Sequence, residues 1–482
     1  MRFPHRHSTG TFAPVSEVST LSVPLQWNVA VPGPARRMAT AAVLLALVMA
    51  AFETTVVTTA MPTLTAELGG RHLYAWVFTA FLLASTLGVL VSGGLADGIG
   101  RRATFLGGLT LFLAGTALCG FSQSVPQLIA FRVLQGLGAG ALQPTTLTIA
   151  SDLYSLKERA AIQSVFTGSW GTASVIGPVL GAFLTEHASW RWVFWVNIPV
   201  GLAAALLLRA SYRDPGRHPA HRLEIGGPLL AGAVLALLLL SLEPHHLPGG
   251  VQLLAGLGAA LVALVLVRQQ RASDRPVLPL DLLRDRTVVS GVVGGLVGGG
   301  MLYGTSAYVP LWLISHGQRT ALTAGAALVP LLVGWAVGSA LGVKLLLRGG
   351  LRASAAGGFT VASLGAALLA LALVQGWGDL ATFGALAALG FGLGPAASTS
   401  IFAPQQRVPW NLRGAVTSTL YACRMLGGSL TIALLNLAQG RLPVQATLLA
   451  LVPVVGALVL ARVAPATLVG GASHADAAPI SK

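Results

Sequence analysis

Apolar runs long enough to cross a bilayer follow one another along almost the whole chain. Spanning the hydrocarbon core takes about 20 helical residues. Inside it every backbone polar group must be paired within the protein, so only helices and closed barrels can cross. The runs fall at 38–62, 73–95, 103–121, 125–151, 160–185, 193–210, 226–242, 251–267, 288–315, 321–343, 353–374, 379–401, 414–437 and 446–463. Each is far longer than the 9–11 residues of a barrel strand. Only 9% of the 482 residues are charged, against about 25% in a soluble domain. The expected class is an all-α integral membrane protein with fourteen spans.

The net charge of +15 would suit a nucleic-acid partner, but its placement points elsewhere. With the N-terminus in the cytoplasm, Arg71, Arg191, Arg319 and Arg441 fall outside, and Arg132 and Arg424 lie within spans. The remaining basic residues fall on the cytoplasmic side. That is the positive-inside bias of a membrane protein, so no nucleic acid is expected. The even count returns the C-terminus to the cytoplasm. An arginine-, alanine-, leucine- and glycine-rich composition suits a GC-rich bacterial genome, hence a bacterial inner (plasma) membrane.

Enzyme and metal signatures are absent from the sequence. There is no Gly-xxxx-Gly-Lys-Ser/Thr nucleotide loop, no His-Glu-xx-His and no Gly-x-Ser-x-Gly. Cys119 and Cys423 lie within spans and read as small apolar fillers. The loop pair His245-His246 lacks a third ligand. Neither metal nor cofactor is expected, and without a nucleotide site the energy source should be an ion gradient.

Several polar or glycine-rich places stand out. In the fifth span, Gly168-Ser-Trp-Gly171-Thr-Ala-Ser-Val-Ile-Gly177-Pro178-Val-Leu-Gly181 sets Ala173, Gly177 and Gly181 on one smooth face. Another helix backbone can approach such a face closely. Pro178 lacks an N–H and crowds the carbonyl of Ser174, which favours a bend. Glu53 is the only acid deep in a span. A carboxylate in lipid is costly, so it should face a protein-lined or watery interior and be able to exchange a proton. A structural, hydrogen-bonded Glu is the plainer reading. Arg132 lies two turns inside its span, where snorkelling to the interface is the plainer reading. The turn Gly93-Gly-Leu-Ala-Asp97-Gly-Ile-Gly100-Arg101-Arg102 joins the second and third spans. Asp97 near a helix C-terminus wants a positive partner. Trp190, Trp192 and Trp195 at a span boundary suit an interfacial aromatic belt. Arg424, near the middle of the thirteenth span, demands a partner or water. It caps carbonyls, lines a cavity, or meets Asp97 across the molecule, and the sequence leaves these three open.

Taken together these strings resemble the major facilitator superfamily, and within it the 14-span drug:proton antiporters. Gly168 to Gly181 is similar to the antiporters' fifth-helix motif. Gly93 to Arg102 resembles the cytoplasmic loop motif Gly-xxx-Asp-basic-x-Gly-Arg-Arg, with Gly98 where a basic residue usually stands. Arg132-Val-Leu-Gln-Gly-Leu-Gly resembles the fourth-helix motif, and Trp190 to Gly201 the junction of the fifth and sixth helices. The Phe52-to-Pro62 segment resembles the first-helix motif, with Glu53 in place of the usual Asp and Thr58 in place of Asn. The resemblance implies that Glu53 carries the proton and that Arg132 lies in the cavity and helps it release that proton. It also implies that the 93–102 loop is a latch for the outward-facing state, and that the fifth-helix string marks an exporter.

The implied layout is a cytosolic tail at 1–37 without periodicity, a six-helix half at 38–210, and a linker with two further helices at 211–286. A second six-helix half follows at 287–463, then a tail at 464–482. The residues Gly342, Lys344, Arg348, Gly349, Gly350 and Arg352 faintly echo the 93–102 loop, as an internal repeat would. The expected activity is proton-coupled efflux of lipophilic drugs or other hydrophobic small molecules by alternating access, by a chain working as a monomer. One deep carboxylate suggests one proton per cycle and a monocationic or neutral substrate. A dedicated exporter of one natural product or lipid is the nearest alternative. A proton-coupled uptake permease and a non-transporting scaffold or receptor fit less well.

Overall fold

The computed structural model describes residues 33–154, 156–214, 226–242, 249–273, 283–317, 321–407, 413–438 and 440–465. Its helices are α1 (Gly33–Glu67), α2 (Tyr74–Ile99), α3 (Arg101–Gly120), α4 (Val125–Leu153), α5 (Leu156–His187), α6 (Trp192–Trp195) and α7 (Asn197–Ser211). The short-looped hairpin α8 (Gly226–Ser241) and α9 (Gly249–Ala272) follows. Then come α10 (Arg286–Gly317), α11 (Ala321–Ala326), α12 (Leu328–Gln375), α13 (Asp379–Arg407), α14 (Arg413–Leu437) and α15 (Leu442–Val463). Among the described residues there is no strand.

Twelve helices among the described residues are long and apolar enough to cross a membrane. The two segments that separate this count from fourteen are α8 and α5. Helix α8 has only 16 residues, and α5, although 32 residues long, carries a Gly-, Ser- and Thr-rich middle that dilutes its apolar content. Helix α1 begins at Gly33, so 33–37 are helical rather than part of a tail. Residues 1–32 and 466–482, and the pair His245-His246, lie outside the described residues.

Two bundles take shape from the packing. In the first, α4 packs on α2 and α3, and α1 packs on α5 and α7. In the second, α12 packs on α13 and α15, and α10 on α14, α13 and α15. The bundles meet along two seams, α2 against α14 and α5 against α11 and α12. The α8–α9 hairpin rests on α2 and α14 through α8, with Ala231 packed beside Leu90 and Ala422.

Glycines set the spacing within these bundles. A Cβ at Gly136 would lie 2.5 Å from the Phe81 carbonyl oxygen on α2, and one at Gly138 2.3 Å from the Phe112 nitrogen on α3. Helix α4 therefore sits nearly backbone to backbone with both neighbours. The turns between paired spans also correspond. Gly100 (φ 95) closes α2 into α3, and Gly350 (φ 78) kinks α12 between the spans Thr323–Gly342 and Gly350–Gln375. Left-handed backbone is cheap only for glycine, so both halves of the faint sequence echo turn on the same device.

Candidate functional site

Helix α1 brings Glu53 into the centre of the first bundle, where it is fully buried. Two other helices supply its bonding partners. Arg132 of α4, 2% exposed, forms a direct ion pair through Nη1 with Glu53 Oε1. Asn197, the first residue of α7, donates its amide N–H to Glu53 Oε2 at 3.1 Å. Both carboxylate oxygens thus have a donor.

The guanidinium is held from several sides. Its Nη1 also donates to Gln135 Oε1 at 2.7 Å, and its Nε to the Val77 carbonyl at 3.4 Å. Gln135 in turn donates to Thr116 of α3 at 2.8 Å, and the Cys119 thiol lies 3.8 Å from Gln135 Oε1. The Phe81 ring lies 4.0 Å from the Arg132 carbon, a cation–π contact. Arg132 is therefore interior and does not snorkel. Cys119 touches the polar chain rather than merely filling space. The close approach of α4 to α2 and α3 is what allows one arginine to reach Glu53, Val77 and Phe81 together.

Two charges buried this deeply repay their lost hydration only when geometry and remaining hydrogen bonds are good. Here they are supplied by Asn197, Gln135 and Thr116. The Asn197 contact was not legible as a site: its string read as an aromatic boundary marker. Its one signal was a lone amide at the start of an apolar span.

The fifth-helix string divides in two. A Cβ at Gly177 would fall 2.0 Å from Thr55 Oγ1, and one at Gly181 2.9 Å from the Val56 carbonyl oxygen, so this part presses on α1. A Cβ at Gly168 would meet nothing within 4 Å. Gly171 lies in the same helix. Pro178 is buried, α5 continues through it, and its carbonyl lies 3.2 Å from a Cβ built at Gly325 of α11. The bundles also join where Tyr74, at the start of α2, donates its hydroxyl to the Ala307 carbonyl of α10 at 2.6 Å.

At the opposite end lies the 93–102 turn. Asp97 is in the last turn of α2, and its side chain lies outside the described residues. Gly93 faces Ser418 of α14, with a built Cβ 3.8 Å from Ser418 Oγ. Arg101 pairs directly with Asp152 at the end of α4. Asp152 also accepts the Tyr212 hydroxyl at 2.6 Å. The Arg102 N–H donates to Asp214 Oδ1 at 3.1 Å, and a Cβ at Gly100 would strike Asp214 Oδ2 at 2.5 Å. Arg101 and Arg102 thus tie α3 to α4 and to the segment after α7, all within the first bundle. Burial and the Asp152 carboxylate push the Tyr212 phenol well above its usual range, so it stays a donor.

The Trp190 region also differs from a simple belt. Trp190 is buried and donates to Glu67 at 2.9 Å, while Arg191 pairs with Glu67 at 2.8 Å. Of the three, Trp192 is the one with an exposed ring, at 49%.

In the second bundle Arg424 lines a narrow cleft bordered by α10, α12, α13 and α14. Its guanidinium lies 5.3 Å from the Trp335 ring centroid. Among the described residues no group of three or more His, Cys, Asp or Glu could hold a metal ion.

Residues 43–432 match the model of the Major Facilitator Superfamily. The chain is 31% identical over 399 residues to "Multidrug transporter protein MdtP" of Bacillus subtilis, covering 82% of this chain and 73% of that protein. "Multidrug resistance protein 3" of the same organism is 31% identical over 309 residues, covering 62% of this chain and 59% of it. "Efflux pump FUS6" of Gibberella fujikuroi is 28% identical over 343 residues, covering 68% of this chain and 62% of it. The chain spans roughly three-fifths to three-quarters of the length of these relatives. Among solved structures, a D-xylose-proton symporter is similar with a TM-score of 0.64 at 15% identity, covering 89% of this chain and 98% of that one. That likeness concerns the fold alone. With its family match, its apolar helices and its two packed bundles, the chain belongs to the major facilitator superfamily and is a multi-pass membrane transporter, not an enzyme.

Proposed function

We propose that this transporter exports hydrophobic small molecules across a bacterial inner membrane by exchanging them for protons through alternating access. The observation that carries the reading is Glu53, a fully buried carboxylate bonded by Arg132 and Asn197. In a membrane interior such a group costs too much to keep without a use. The names of the relatives, multidrug transporters and an efflux pump, support export. So does the glycine face of α5 pressed on α1 beside Glu53.

The proposed layout is two six-helix halves, at 38–210 and 287–463, with α8 and α9 between them and both termini in the cytoplasm. Counting α5 and α8 gives fourteen spans. On this topology the Tyr74–Ala307 bond and the α5–α11 contact form the external gate, and the 93–102 turn faces the cytoplasm. A proton reaching Glu53 from outside neutralises it and frees Arg132 from its partner. The two bundles then rock about the α2–α14 and α5–α11/α12 seams, and the proton leaves inward as a new substrate binds. Arg132 favours that release, because a neighbouring guanidinium stabilises the carboxylate. One carboxylate implies one proton per cycle and a substrate of low charge. A monomer holds every part of this machinery.

The test is proton movement in energised inside-out vesicles, followed with a pH-sensitive dye. Several unrelated hydrophobic compounds should each release protons in the wild type, and none in Glu53→Gln at equal expression. Release by a single compound would make the protein a dedicated exporter. Transport without proton movement would remove antiport.

A further inference from the structure

We propose that Asn197 is a positioning residue for proton exchange at Glu53: its amide N–H holds the carboxylate in the charged form and so sets the pH at which the proton leaves. This role rests on the exchange reading above and adds what tunes it. Asn197 is 2% exposed and Glu53 is fully buried, so little water competes for their 3.1 Å bond. An ionised carboxylate can only accept, so the amide must turn its N–H toward Oε2. Arg132 takes the other oxygen.

The chain on either side of Asn197 is fixed to α3, which aims the amide. Just before it, Trp195 packs over Gly120, where any Cβ would strike the indole, and the Trp195 N–H donates to the Ala117 carbonyl at 3.4 Å. One turn further along, a Cβ at Gly201 would meet Leu113 at 2.5 Å. Helix α7 also packs along α1, so its first turn delivers Asn197 to Glu53. The contact follows the proton. A hydrogen bond to a carboxylate is about twice as strong as one between neutral groups, so its loss weakens the charged form more than the acid. Arg132 of α4 is the charged group that faces Glu53, and the Cys119 thiol of α3 is the next titratable one. Of the helices packed on α1, the described parts of α5, α6, α7, α10 and α11 bring no other charge to Glu53. Replacing Asn197 with an apolar residue therefore leaves the local charges unchanged and removes one donor.

The test is an infrared titration of the full chain in lipid nanodiscs, with no substrate and no gradient. The carboxylic-acid C=O stretch that disappears in Glu53→Gln reports the Glu53 proton. Asn197→Leu, close in shape but without a donor, should move the midpoint of that band upward by at least about half a pH unit, about a threefold gain in proton affinity. Packing damage that let water reach the carboxylate would favour its charged form and move the midpoint down. The sign of the shift thus separates a positioning role from a merely structural one. Size-exclusion profiles report folding, and should Asn197→Leu fail there, the shorter Asn197→Val carries the test with the same expected shift. A smaller upward shift, no shift or a downward one would overturn the assignment, while a titrating band would leave the Glu53 proton role standing. A band that titrates at no pH in the wild type would remove both.

Discussion

Replacing Arg132 with Met isolates the energetics of the buried pair. The substitution keeps most of the side-chain volume and removes the guanidinium that contacts Glu53, Gln135, Val77 and Phe81. Glu53 is then left fully buried without its cationic partner, with the Asn197 amide on one oxygen. Stranding one member of a buried pair typically costs about 3–5 kcal/mol, whereas replacing both members is often close to neutral. The account therefore predicts a loss of about 3–5 kcal/mol for Arg132→Met, and partial recovery when Glu53→Gln is added. In a double-mutant cycle the coupling should be about 2–3 kcal/mol, near the top of the range for contacting residues. Equilibrium unfolding in mixed detergent–denaturant micelles, on purified variants, supplies the four free energies. Additivity within about 0.5 kcal/mol, the behaviour of independent sites, would refute the claim that the two side chains share one buried charge system.

Further outcomes follow from the geometry. Gly181→Val places a Cβ 2.9 Å from the Val56 carbonyl oxygen, which cannot swing away, so it should cost about 1–3 kcal/mol and reduce transport. Gly168→Ala meets nothing and should stay within about 0.5 kcal/mol of wild type by the same unfolding assay. Tyr212→Phe removes the hydroxyl donated to Asp152 and should cost about 1.5–3 kcal/mol. Because the folded state holds the Tyr212 proton more tightly than the usual value of 10.0, its contribution is intact below that pH and fades above it. Wild type should therefore lose more stability than Tyr212→Phe between neutral pH and pH values above 10.0. At the Glu67 cluster, Arg191→Ala should cost no more than about 1 kcal/mol, as an exposed ion pair implies. Trp190→Ala should cost about 3–5 kcal/mol because its ring is buried; thermal melts in detergent would rank the two.

Much of this architecture was legible because the bilayer forces long apolar helices and leaves few places for charge. Glu53 and Arg132 stand out for that reason: each is an expensive residue in its setting. Their contact is different, since α1 and α4 are far apart in sequence and only the glycine-spaced packing of α4 brings them together. Asn197 was missed because a neutral amide at a span boundary is cheap, and nothing in its local pattern marks its partner. Trp190 misled for a similar reason. A tryptophan beside an arginine near a span end suits an interfacial belt, yet Glu67 arrives from α1 to bury it. The count of spans proved hardest at α5 and α8. In α5, small residues serve packing at the expense of apolarity, and α8 is shorter than a bilayer is thick. Arg424 was visible as a costly residue, but the cleft it lines depends on four helices meeting around glycines of α10.

The central claim is that a proton gradient drives substrate movement through Glu53. Purified protein reconstituted in proteoliposomes, with an imposed pH difference and no membrane potential, tests it most directly. Wild type should accumulate a hydrophobic substrate against its concentration gradient on the acidic side, while Glu53→Gln should only equilibrate it. Uphill accumulation by Glu53→Gln, or none by wild type under any imposed pH difference, would contradict the account.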